Sequence, residues 1–254
     1  MRMAMWLTLA PMNVKPPRID WDLKGGDTAA IAALYRLMSW LSPAFPVGAF
    51  SYSSGLEWTI EKREIGNARE LQNWIGSLLR CGGGAADAVF FVQAHRAAAA
   101  EDAMALNAIT ERAAAFAPSK ERYDETAAQG LAFIKATQSA WPCAKQAEFL
   151  ARWDGPIAYP IAVAVASAGH YIDETMALNA FLHATVSNLI SAGVRLIPLG
   201  QTAGLRILAA LEPAVIACAA CAQTTPLDQV GNACIRADIA SMLHETQYTR
   251  LFRS

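Results

Sequence analysis

The chain has 254 residues and a mass of 27.2 kDa, enough for one large domain or two small ones. Hydrophobic residues make up 54% and charged residues 17%, a balance that excludes an intrinsically disordered chain. With 21 basic and 22 acidic residues the net charge is -1, so no global attraction to nucleic acid or to an acidic membrane follows. Alanine alone accounts for 52 positions. It is the best helix former and a poor strand former, so composition points to an all-α protein.

Residues 1–27 read as a loose leader, with Pro16, Pro17, Gly25 and Gly26 breaking regular structure. A helix is expected from Thr28, carrying Leu34, Leu37, Met38 and Leu41, and stopping at Ser42-Pro43. Residues 42–55, SPAFPVGAFSYSSG, hold two prolines, two glycines and three aromatic rings, which suits an ordered turn rather than a linker. Ser54 and Glu57 have the spacing of a capping box opening the next helix. Asn67 opens another, with Leu71, Trp74, Ile75, Leu78 and Leu79 forming an apolar stripe that ends at Gly82-Gly83-Gly84.

Asp87, Phe90, Phe91 and His95 fall on the following helix, and further helices fit 103–116, 118–139, 143–153 and 157–171. Asp173 caps a helix ending at Gly193, and Thr202 caps one over 203–211, with 213–223 continuing apolar. Thr225-Pro226 resembles a cap followed by proline in the first helical position. The expected architecture is all-α, a single bundle-like domain of roughly ten helices over 28–231, followed by a tail over 232–254. The segment VRLIPL is the best strand candidate, and Pro198 demotes it.

Enzyme motifs are sparse. There is no GxxxxGK[ST], GxSxG or HExxH, and His95, His170, His183 and His244 are widely spaced. Cys81, Cys143, Cys218, Cys221 and Cys234 form an odd set, not a disulfide framework. Cys218 and Cys221 are either two small residues on a core face or a metal site completed by Cys234 or His244. An enzyme site assembled from Asp87, His95, Glu57 and Cys143 is the other catalytic reading, and it predicts a deep polar pocket. The short apolar run near Met1 does not make a signal peptide, and residues 156–168 fall short of the roughly 20 needed to span a membrane. A soluble chain in a reducing cytoplasm is expected.

The tail mixes Arg236, His244, Arg250 and Arg253 with Ile239, Met242, Leu243, Tyr248, Leu251 and Phe252. Such a segment either orders against a partner or folds back on its own domain.

Four segments, LMSWLSPAFPVGAFSYSSGLEWTIE (37–61), DAVFFVQAHRA (87–97), RLIPLGQTAGLRILAAL (195–211) and ADIASMLHETQYTRLFRS (237–254), resemble in order the urease accessory protein UreF family. The resemblance covers about 34–254. It implies an all-α scaffold without its own catalytic site or cofactor. Its partners would be UreD (UreH in some organisms), the GTPase UreG and the urease apoprotein, and the assembly would deliver nickel. A homodimer within that complex is also implied. Within this reading, partner contact is expected at Gln201, Arg236, His244, Glu245, Tyr248 and Arg250, while Tyr52 either anchors the turn or contacts a partner. Phe45, Pro46, Gly48, Phe50, Ser54, Gly55 and Glu57 are expected to form the structural signature, with Phe50 anchoring the turn. Ala203 and Leu205 stand where the family commonly has an acidic and an amide side chain, and Leu243 where many members have Arg.

Overall fold

The computed structural model describes residues 25–254, so the leader lies outside the described residues apart from its last three positions. Those residues form eleven α-helices and two short 3-10 turns, with no strand among them. The helices are α1 (Gly25–Trp40), α2 (Leu56–Glu61), α3 (Ala68–Cys81), α4 (Gly83–Ala99), α5 (Ala103–Ala115), α6 (Lys120–Ala140), α7 (Ala144–Leu150), α8 (Tyr159–Gly169), α9 (Glu174–Leu196), α10 (Gln201–Thr224) and α11 (Ile235–His244).

The core is built around α8 and α4. Residues 160–168 of α8 are buried without interruption, and α4, α6, α7 and α9 pack on it. Its sequence, YPIAVAVASAG, makes this possible, because small side chains let neighbouring backbones come close. A Cβ on Gly130 of α6 would lie 2.0 Å from the Ile157 carbonyl oxygen just before α8. The aromatic part of the core joins α1 to α6: Trp40 meets Phe133 edge-on at 6.0 Å and Trp141 at 6.0 Å.

Capping explains several boundaries. Asn67, Asp102, Ser119 and Asp173 each accept from the amide three residues on, as the opening residue of α3, α5, α6 and α9. Other expectations are corrected. Gly25 and Gly26 begin α1 rather than break it. The glycine run closes α3 but also opens α4, leaving only Gly82 between them. Gly193 does not end α9. It lies inside the helix because Leu71 of α3 occupies the space where a Cβ would be, at 2.4 Å. The two segments around Pro213 form one helix, α10, opened by Gly200 and not by Thr202. Pro213 sits on the exposed side, and packing against α3, α4 and α9 holds the helix through it. Pro226 precedes a short 3-10 turn, Leu227–Gln229, instead of a helix.

Two stretches are long and apolar enough to cross a membrane by length and composition, Ala68–Ala99 and Gln201–Thr224, contrary to the expectation drawn from 156–168. The first is interrupted at Gly82, and each packs within the helical assembly.

Candidate functional site

The signature turn is shaped by backbone angles. Gly48 (φ 73°), Ser54 (φ 56°) and Gly55 (φ 79°) all lie in the left-handed region. At Gly55 no other residue fits, since a Cβ would meet the Ser241 amide nitrogen of α11 at 2.7 Å. Phe45 anchors the turn against Phe133 at 5.5 Å, and Tyr52 is buried. Phe50 corrects the expectation, being largely exposed; the Arg195 guanidinium covers it, 3.6 Å above the ring. Pro46 is exposed as well.

Ser54 and Glu57 make no capping box. The Glu57 amide donates to Ser53 Oγ, while Ser54 Oγ accepts from Arg122 Nη1 at 2.8 Å. This frees the Glu57 carboxylate, which is buried and receives the tail. Leu251 N donates to Oε1 at 2.7 Å, and Phe252 N donates to Oε2 at 2.9 Å. His244 Nε2 lies 3.1 Å from the same Oε2, and its Nδ1 is 2.7 Å from Glu121 Oε2 on α6. Arg250 Nη1 meets the other Glu121 oxygen at 2.7 Å.

The end of the chain is stitched to the turn. Arg253 N donates to Ser51 O at 2.8 Å and Ser53 N to the Ser254 main-chain oxygen at 2.7 Å. Ser254 Oγ donates to Glu125 Oε2 at 2.6 Å, and Glu125 also pairs with Arg122 at 2.6 Å. Phe252 is buried, with the Arg195 guanidinium 4.3 Å above its ring. Three carboxylates, Glu57, Glu121 and Glu125, thus receive the tail. The last two escape a motif reading, although their i, i+4 spacing places both on one face of α6, a signal that an opposed basic tail could have exposed.

The remaining assigned residues lie as follows. Arg236 pairs with Glu64 at 2.6 Å, and Glu245 accepts from the Lys120 amide at 3.0 Å. Gln201 is exposed in the first turn of α10, near the half-buried Ala203 and the exposed Leu205. Tyr248 is fully exposed. The outer face of α11 carries Ile235, Ile239, Met242 and Leu243, all exposed, while Ala240, Ser241 and His244 face inward.

Beside the tail receptor lies a cavity of about 270 Å³, lined in part by Asp87, Arg122, Glu125, Gln129 and Tyr159. Burial, partly opposed by Arg122 and reinforced by Glu125, pushes the Asp87 carboxyl up to about 6. Of the four residues in the enzyme reading, only Asp87 lines this cavity. His95 instead has Nε2 3.0 Å from the Ile172 carbonyl oxygen, and burial holds it below the usual histidine range. Cys143 precedes α7 and lies against Gly169. The metal reading is likewise unsupported. Cys234 lies against Cys81, His244 between two carboxylates, and no group of three or more His, Cys, Asp or Glu suited to a metal occurs among the described residues.

The UreF family model matches residues 65–212. A urease accessory protein UreF of Rhodopseudomonas palustris (strain HaA2) is 56% identical over 88% of this chain and 94% of its own length. Its namesake in Bradyrhizobium sp. (strain ORS 278) is 54% identical over 89% and 94%, and that of Bradyrhizobium diazoefficiens 52% over 91% and 97%. An all-helical chain that matches the family model over more than half its length, and these relatives over nearly all of theirs, belongs to the UreF family of urease accessory proteins.

Proposed function

We propose that this protein is a non-catalytic scaffold of urease maturation in the cytoplasm. It assembles with UreD (UreH), the GTPase UreG and the urease apoprotein, so that the assembly delivers nickel; modulation of the GTPase falls within the same reading. The observation that carries it is the two-sided tail. The inner side of α11 is fixed to the domain by buried contacts of His244 with Glu57 and Glu121, and the outer side offers an apolar face of Ile235, Ile239, Met242 and Leu243, continued by Tyr248 and Leu251. A surface helix that turns apolar residues outward fits a partner surface.

In this reading Tyr248 contacts UreD directly, and Gln201 contacts a partner from α10. Tyr52, Arg236, His244, Glu245 and Arg250 act by holding the turn and tail in place. The exposed stripe Ile31, Leu34, Tyr35 and Met38 on α1, at i, i+3, i+4 and i+7, supports a homodimer within the complex.

The test is capture of UreD and UreG from the same source by the full chain and by an Ile239→Asp, Met242→Asp variant. Both changes lie on the outer face, so the helical circular-dichroism signal should persist while UreD capture falls at least about tenfold. Undiminished capture by the folded variant would overturn the reading.

A further inference from the structure

We propose that Cys81 and Cys234 form a reversible dithiol–disulfide site, oxidised by a hydroperoxide, that staples the root of α11 to the end of α3. The inference is independent of any partner. Cys81 is the last residue of α3, and Cys234 immediately precedes α11, 153 positions away. Their Sγ atoms lie 3.6 Å apart, and both approach the Ser77 carbonyl oxygen, at 3.6 and 3.3 Å.

The backbones are held together as well. Ala233 N donates to Cys81 O at 2.7 Å, and Cys234 N donates to Asn232 Oδ1 at 2.9 Å. Gly82, next to Cys81, packs closely on the second thiol: a Cβ there would lie 2.9 Å from Cys234 Sγ. A disulfide needs an S–S separation of about 2.05 Å, so the sulfurs must close by roughly 1.5 Å. The other three cysteines are placed differently. Cys143 lies against Gly169, Cys218 is buried in the core, and Cys221 Sγ meets Thr225 Oγ1 at 3.8 Å.

The two thiols differ in access. Cys81 is exposed and Cys234 is half-buried. Burial, and then the Cys81 thiol beside it, push the Cys234 thiol up to about 11. Cys81 is therefore the attacking group. Its sulfur attacks one peroxide oxygen and the O–O bond breaks. The other oxygen leaves as an alcohol or water carrying the thiol proton, and Cys81 becomes a sulfenic acid. The Cys234 sulfur then attacks the Cys81 sulfur, the S–OH bond breaks, and the hydroxyl leaves as water with the Cys234 proton. The sulfur pair loses two electrons and the peroxide gains two. A dithiol reductant reverses the bond by exchange, so a reducing compartment keeps the pair open.

The consequence is mechanical. The far end of α11 is already held by His244 between Glu57 and Glu121, and the bond fixes its near end too.

The test treats the full-length protein with hydrogen peroxide and maps disulfides by non-reducing digestion and mass spectrometry. The expected product is an intramolecular 81–234 link with Cys143, Cys218 and Cys221 still alkylatable. It should form at least about tenfold faster in the native protein than in denaturing urea, because folding holds the thiols together. It should be reversed by dithiothreitol and should slow amide exchange in the first turn of α11. Cys81→Ser and Cys234→Ser, each checked for an unchanged helical signal, should each abolish the link, whereas Cys143→Ser should retain it. Accumulation of sulfinic acid at Cys81, links between chains only, or equal rates in urea would overturn the proposal.

Discussion

Removing the Glu57 carboxylate strands three donors at once: the amides of Leu251 and Phe252 and the ring of His244. Glu57→Ala should therefore cost about 2–4 kcal/mol in urea unfolding, in the range for breaking a buried, charge-assisted network. Trypsin should cut the variant faster at Arg250 and Arg253, and unchanged cleavage and stability would refute the receptor assignment. Asp87 gives a pH signature. Its folded value of about 6 exceeds its ordinary 3.8, because burial favours the neutral acid. The folded state then holds the proton more tightly, so this group's stabilising contribution falls as pH rises from about 4 to 6 and stays lost above. The stability difference between wild type and Asp87→Asn should move by up to about 3 kcal/mol across that window, in favour of the variant at higher pH. A difference independent of pH would show that Asp87 does not titrate there. His95 and His170 act the other way, since burial lowers both. Their contribution is lost as pH falls below about 6.5.

The helices meet through gaps sized for glycine. Gly130→Ala would drive a methyl group into the Ile157 carbonyl oxygen, a backbone atom that cannot swing aside. Its cost should reach about 3 kcal/mol or prevent folding. Gly193→Ala meets the Cγ and both methyls of Leu71, a side chain rather than backbone, and should cost less, about 1–2 kcal/mol. Equal thermal shifts for the two variants would contradict this distinction. Some helix starts are legible in the chain: Asn67 and Asp173 act as read, through amides three residues on, and Asp102 and Ser119 act the same way, whereas the caps read at Ser54, Thr202 and Thr225 do not form. Helix ends are less so. Gly193 and Pro213 are local breakers that contacts from α3 and other distant helices override.

For the molecule as a whole, the tail is a part of the fold that also faces outward. Deleting residues 251–254 removes the buried Phe252 and uncovers Glu57, Ser53 and Glu125. The truncated chain should keep its helical circular-dichroism signal but lose about 3–5 kcal/mol of stability. No change in stability would mean that the tail does not dock as described.

Helical class, the starts capped by Asn67 and Asp173, the ordered turn and the two signature segments follow from the sequence alone. They depend on alanine content, 3.6-residue spacing and caps, all read over a few residues. Only the tertiary structure pairs Glu57, Glu121 and Glu125 with a tail more than a hundred residues away, or brings Cys81 to Cys234. Ser54 and Glu57 have capping-box spacing, yet a left-handed Gly55 and the arrival of α11 give both side chains distant partners. Which side of the tail faces the domain is decided by where buried carboxylates can be neutralised, and that is a property of the packed molecule.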